Sequence, residues 1–115
     1  MATPRIRLLI GDTIAIGPGK ASLLEEIARK GSISAAARNM GMSYRKAWRL
    51  IDSINDDFKV EIVSKSTGGK GGGGAYLSPF GKEMLKRYLL IEKKAAESIV
   101  DDLVWFENQL RSKTN

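Results

Sequence analysis

The side chains that carry most enzyme chemistry are missing from this sequence. It contains no histidine and no cysteine, which removes the usual general base, the thiolate nucleophile and the common zinc ligands. The neighbouring carboxylates Asp56 and Asp57 have no metal-ligand spacing around them. The expectation is a protein that is not an enzyme and uses no metal or cofactor. What the chain offers instead is positive charge, placed unevenly. Residues 29–94 hold 14 Lys or Arg against 6 Asp or Glu, residues 1–28 balance at three each, and residues 95–115 carry two basic against four acidic. Such a surplus, within a net charge of +6, attracts a polyanion, most often nucleic acid, because each neutralised phosphate releases condensed counterions. A solvated basic surface is the plainer reading of charge alone.

Spacing favours the first reading. Between Ile33 and Asp52 two short helical patterns meet at a turn. Helices that cross closely need small residues at the crossing, a residue tolerant of positive φ in the turn, and apolar residues to lock the second helix down. Ala36 and Ala37 suit the crossing, Gly41 the turn, and Met40, Met42, Ala47 and Leu50 the lock. In a helix-turn-helix the N-terminal half of the second helix enters the major groove. There Arg45 and Arg49, one turn apart, would pair with guanine edges or with phosphate. Ser43, Tyr44 and Lys46 would hold the backbone. Trp48 has two readings, a core anchor between helices or a contact for thymine methyls. The alternative for the arginines is a solvated helix face, which a following basic loop disfavours.

That loop is TGGKGGGG, residues 67–74. A nucleotide-binding loop would need Lys followed by Ser or Thr and then a helix. Here Lys70 precedes Gly71, and Ala75-Tyr76-Leu77 reads as a strand. As the wing of a winged helix the stretch fits better: glycines let the backbone approach phosphates closely while Lys70 supplies charge. Thr67, Gly69, Lys70 and Gly71 are the expected contacts, with a passive flexible hairpin as the alternative.

The elements that must position these groups follow from periodicity and punctuation. RIRLLI (5–10) and TIAI (13–16), separated by Gly11-Asp12, suit a hairpin. Pro18-Gly19 breaks that pattern, and from Lys20 the positions Leu23, Leu24, Ile27 and Ala28 form a helical face that Gly31 ends. A second helix spans 32–39, capped by Ser32 or Ser34, and a third spans 44–58 behind Ser43, with Ala47, Leu50, Ile51, Ile54 and Phe58 on one face. Strands are expected at 60–65 and 75–77. Ser78-Pro79 opens a last helix, and with no glycine or proline after Gly81 it is expected to run to about Arg111. Roughly 33 residues would reach about 50 Å, too long for a body this small. Along it Leu85, Leu89, Glu92, Ala96, Ile99, Leu103, Phe106 and Leu110 recur at spacings of four and three, a coiled-coil-like seam. All but Glu92 are apolar, and they are the expected homodimer contacts. A second stripe, Met84, Tyr88, Ile91 and Ala95, would face the chain's own body.

The expected fold is therefore mainly α with small β: a winged helix-turn-helix over residues 1–78 and a long dimerisation helix over 79–115. A hydrophobic content of 43% suits a globular chain. No apolar run of membrane-spanning length and no secretory signal is evident. Without cysteine a reducing cytoplasm is the expected location. The expected partner is double-stranded DNA. A protein-interaction adaptor using the long helix as its docking surface is the rival reading, and an RNA-binding protein would want exposed aromatic pairs for stacking bases.

The runs GSISAAARNMGMSYRKAWRLID (31–52) and STGGKGGGGAYLSPFGKEML (66–85) together resemble the N-terminal DNA-binding domain of the ModE family of molybdate-responsive transcriptional regulators, whose helix-turn-helix is of LysR type. The resemblance covers about residues 20–90. It implies a winged helix-turn-helix homodimer on a palindromic operator, regulating genes for molybdate uptake or molybdenum-cofactor use, with residues 43–52 reading DNA and 67–74 as the wing. Members usually carry C-terminal oxyanion-binding domains, and none is expected within these 115 residues. The chain is thus expected to be a stand-alone regulator, the partner of a separate oxyanion-sensing protein, or one part of a longer protein.

Overall fold

The structure is a computed structural model that describes residues 3–65 and 74–111. Its elements run β1 (Leu8–Ile10), β2 (Thr13–Ile16), α1 (Pro18–Lys30), α2 (Ile33–Asn39), α3 (Tyr44–Asp57), β3 (Val63–Lys65), β4 (Ala75–Leu77), α4 (Pro79–Ser98) and α5 (Val100–Gln109). Two separate antiparallel ribbons form, β1 with β2 and β3 with β4. The order three helices, small hairpin, long helical tail is that of a winged helix.

Local chemistry sets most boundaries. Gly11 takes φ +64° in the tight turn joining β1 to β2, where Ile10 faces Thr13. Pro18 begins α1 instead of breaking the chain before it. Its missing N–H would have been unsatisfied at that position, and its fixed φ is already helical. α1 ends where Gly31 turns left-handed and its N–H bonds the Ile27 carbonyl at 2.8 Å. Leu23, Leu24 and Ile27 are wholly buried, whereas Ala28, expected on the same face, is exposed.

The strand expected over 60–65 is only three residues long. Upstream of it the Asn55 side chain takes the backbone: its Oδ1 accepts from the N–H of Ile62 at 2.7 Å and of Val63 at 3.2 Å. The β3–β4 ribbon then pairs Val63 with Leu77 and Lys65 with Ala75. Ser78 caps α4, accepting from the Gly81 N–H at 3.0 Å. Gly81 lies so close to Ile62 that a Cβ there would collide with the Ile62 carbonyl oxygen.

The final helix does not run unbroken to Arg111. It divides at Ile99 (φ −120°, ψ 22°), which ends α4 and begins α5. The Ser98 hydroxyl donates to the Ala95 carbonyl at 2.9 Å, the acceptor that the Ile99 N–H would otherwise use. Serine back-bonding of this kind bends helices, and consecutive β-branched Ile99 and Val100 resist a tight turn. Asp101 and Asp102 favour a fresh N-terminus just beyond.

One core joins these pieces. Ile16, Leu24, Ile27, Ile51, Ile54 and Ile62 meet inside it, and Leu85 and Tyr88 bring α4 onto it. Beyond Tyr88 no described residue of the tail is buried, and the overall dimensions are 54 × 38 × 22 Å. No described helix is long and apolar enough to cross a membrane.

Candidate nucleic-acid interface

Two serine caps and a left-handed glycine build the turn between α2 and α3. Ser32 Oγ accepts from the Ala35 N–H at 3.0 Å and opens α2. Ala36 and Ala37 are buried where the helices cross. The Met42 N–H returns to the Ala37 carbonyl at 3.0 Å, and Gly41 adopts φ +69°, a conformation that costs other residues about 1–2 kcal/mol. Ser43 Oγ then accepts from the Lys46 N–H at 3.0 Å, capping α3. The buried Glu26 carboxylate ties α2 to α1, accepting from Asn39 Nδ2 at 2.7 Å and pairing with Arg29 at 2.9 Å.

The core face of α3, Ala47, Ile51 and Ile54, is buried. Helical geometry sends Arg45 and Arg49 to the opposite side, and both are exposed, as are Ser43, Tyr44 and Lys46. Neither arginine has an ion pair or hydrogen bond with any described residue, so both guanidiniums are free to meet an anion. Further along the same outward face stand Asp52 and Asp56, also exposed. Positive potential is therefore confined to the first two turns of α3, and a polyanion would meet its N-terminal end first. Bidentate pairing with carboxylate-like or guanine-like acceptors is the chemistry this surface offers.

Trp48 lies half-buried against the core, edge-on to Tyr44 with ring centroids 6.1 Å apart. Its other face carries Lys65, whose Nζ is 4.6 Å from the ring centroid, within cation–π range. Lys65 is the last residue of β3, so a further cation belongs to the interface at the base of the β3–β4 ribbon. It escaped the sequence reading because nothing local marks it; only tertiary contact with Trp48 does. Asn55 escaped for the same reason. It fixes β3 to α3, and so sets where the ribbon stands relative to Arg45 and Arg49; a poor helix former in the last turn of α3 was its only signal. The expected wing contacts Thr67, Gly69, Lys70 and Gly71 lie outside the described residues.

Of the expected dimer contacts, Leu85 is buried in the chain's own core. Ala96, Ile99 and Leu103 are half-buried, and Leu89, Phe106 and Leu110 are exposed. Of the stripe expected to face the body, Tyr88 is buried and Met84 packs on the core, while Ile91 is exposed. Among the described residues no three acidic side chains gather to hold a metal ion.

Comparison with known proteins agrees with this geometry. ModE of Escherichia coli K12, a DNA-binding transcriptional dual regulator, is 42% identical over 88 residues, 74% of this chain and 34% of its own. The molybdenum-pterin-binding protein MopB of Rhodobacter capsulatus is 42% identical over 82 residues, 71% of this chain and 30% of its own. The chain thus spans about a third of the length of these curated relatives. In structure it superimposes on the protein chain of the CbnR_DBD–DNA complex with a TM-score of 0.60 at 20% identity, covering 75% of this chain and 93% of that one; at that identity the likeness concerns the fold. Residues 20–82 match the model of bacterial regulatory helix-turn-helix proteins of the lysR family, and with more than half of its residues in that match the chain belongs to this family of DNA-binding regulators.

Proposed function

We propose that this chain binds duplex DNA sequence-specifically as a homodimer on a palindromic operator. The observation that carries the reading is the pair of free, exposed arginines, Arg45 and Arg49, one turn apart on a helix whose other face is locked by Ala47, Ile51 and Ile54. Arg45 and Arg49 read base edges, while Ser43, Tyr44, Lys46, Lys65 and the residues of the wing hold the phosphate backbone. Trp48 supports Lys65 from the core side. The homodimer forms through the apolar residues of α4 and α5 that the chain's own core leaves open, Leu89, Ala96, Ile99, Leu103, Phe106 and Leu110. The names of the relatives, a transcriptional regulator ModE and a molybdenum-pterin-binding protein, support genes of molybdate uptake or molybdenum-cofactor use as the targets. Molybdate sensing in this reading falls to a separate oxyanion-binding protein or domain.

Selection of bound sequences from a random duplex pool tests the proposal. The expected product is an inverted repeat whose half-sites lie about 34–36 Å apart, one helical turn, or a multiple of that. Enrichment of a single unrepeated site would contradict the dimer, and no enrichment at all would contradict sequence-specific recognition.

A further inference from the structure

The N-terminal arm carries charge that the interface just described leaves unused. From Thr3 to Leu8 exposure alternates residue by residue: Thr3, Arg5 and Arg7 are exposed, and Pro4, Ile6 and Leu8 are half-buried. An extended chain sends alternate side chains to opposite sides, so Arg5 and Arg7 share the exposed side of the arm. Neither has an ion pair or hydrogen bond with a described residue. The arm is nonetheless held in place, because the buried Tyr88 of α4 donates its hydroxyl to the Ile6 carbonyl at 2.5 Å, between the two arginines.

Where the arginines sit matters more than their number. Arg5 and Arg7 line an open cleft of about 660 Å³ together with Gly17, Gly19 and Lys20 at the start of α1 and Leu50 of α3. Lys20 is already engaged, with Ser53 Oγ at 3.1 Å, the Ile14 carbonyl at 3.3 Å and Asp57 at 3.9 Å, so the two arginines supply the cleft's free charge. At about 100° per residue, Leu50 and Trp48 leave α3 from opposite flanks, and exposed Lys46 stands one turn before Leu50 on its side. The β3–β4 ribbon borders the Trp48 flank through Lys65. The arm borders the other.

We infer that Arg5 and Arg7 form a second phosphodiester-binding surface, gripping the duplex backbone on the flank of α3 opposite the β3–β4 ribbon. This inference rests on the DNA-binding reading above. Two clamps on either side of α3 would fix the helix's angle in the groove, which neither arginine of α3 does alone. Phosphate contacts of this kind add affinity without reading sequence.

Binding of the full chain to random-sequence duplex across a salt series tests it, since such binding is almost wholly electrostatic. The double substitution Arg5→Gln/Arg7→Gln should weaken binding and flatten the dependence of log K on log salt by about two units per chain. The charge-keeping pair Arg5→Lys/Arg7→Lys should retain the wild-type slope. Circular dichroism of both variants should match wild type, because the replaced side chains are exposed. A Gln variant with the wild-type slope, whether or not its affinity falls, overturns the arm contact and leaves recognition by α3 standing. A wild-type chain with no salt-dependent affinity for duplex overturns both.

Discussion

Tyr88 shows how much a single side chain is asked to do in a small body. Its ring is buried, its hydroxyl donates to the Ile6 carbonyl, and the Glu92 carboxylate lies 3.1 Å away. Burial pushes its phenol up to about 12, and the hydrogen bond and negative charge of Glu92 add to the rise, against a smaller opposing pull from Arg5. A tyrosine in the unfolded chain loses its proton near pH 10. Between about pH 10 and 12 the native state therefore binds more protons than the unfolded one, and stability falls as pH rises. Below about pH 10 the contribution is fully present. The loss across that window should approach about 3 kcal/mol. Urea unfolding at about pH 8 and pH 11 should show roughly half of it, about 1.4 kcal/mol, for wild type and much less for Tyr88→Phe. Equal losses in the two proteins would place the alkaline transition elsewhere.

At the scale of elements, the contacts that matter most for the interface are those that fix one element to another. Asn55 is the clearest case, since a single amide joins α3 to the strand that leads into the wing. Asn55→Ala would strand the Ile62 and Val63 N–H groups in a largely buried place, at a cost of about 1–3 kcal/mol. Chemical denaturation should register that loss, and hydrogen exchange should show the β3–β4 amides opening before those of α1. A variant as stable as wild type would show that the ribbon holds itself.

The contrast between Asn55 and the caps explains what could be read from the sequence. Ser32, Gly41, Ser43 and Ser78-Pro79 act on backbone within four residues, so their chemistry is visible locally, and all of them mark real boundaries. Asn55 acts across seven and eight residues, and Lys65 finds Trp48 only through the fold, so neither announces itself. Pro18 was ambiguous because proline both ends strands and begins helices. The division at Ile99 involves no glycine or proline; it depends on the choice of partner by the Ser98 hydroxyl, which periodicity does not encode. Exposed arginines on α3 were legible because the apolar face opposite them was.

For the molecule as a whole, the tail poses the largest energetic question. None of the residues of α5 is buried, and Val100, Val104, Trp105, Phe106 and Leu110 are all substantially exposed. Exposed apolar side chains in this number on a single chain call for a partner, and in the proposed homodimer a second copy would meet them with the same residues in a self-complementary contact. Phe106→Glu with Leu110→Glu touches no core residue, so each chain should keep its fold and helical content while sedimentation shows a monomer. A dimer that survives both changes would shift the interface to the β1–β2 hairpin, where Leu9 and Ile10 are also exposed. Loss of the dimer should also weaken binding to an inverted repeat far more than to a single half-site, because the two α3 helices then no longer bind as one unit.

The proposed DNA-reading surface of α3 is tested by a competition titration. Wild type, Arg45→Ala and Arg49→Ala would each be bound to the selected inverted repeat in the presence of random duplex at fixed salt. Each substitution should cost about 1–3 kcal/mol on the selected site and relax discrimination at one base position in each half-site, with little change on random duplex. If both variants hold the selected site as tightly and as selectively as wild type, α3 is not the element that reads DNA.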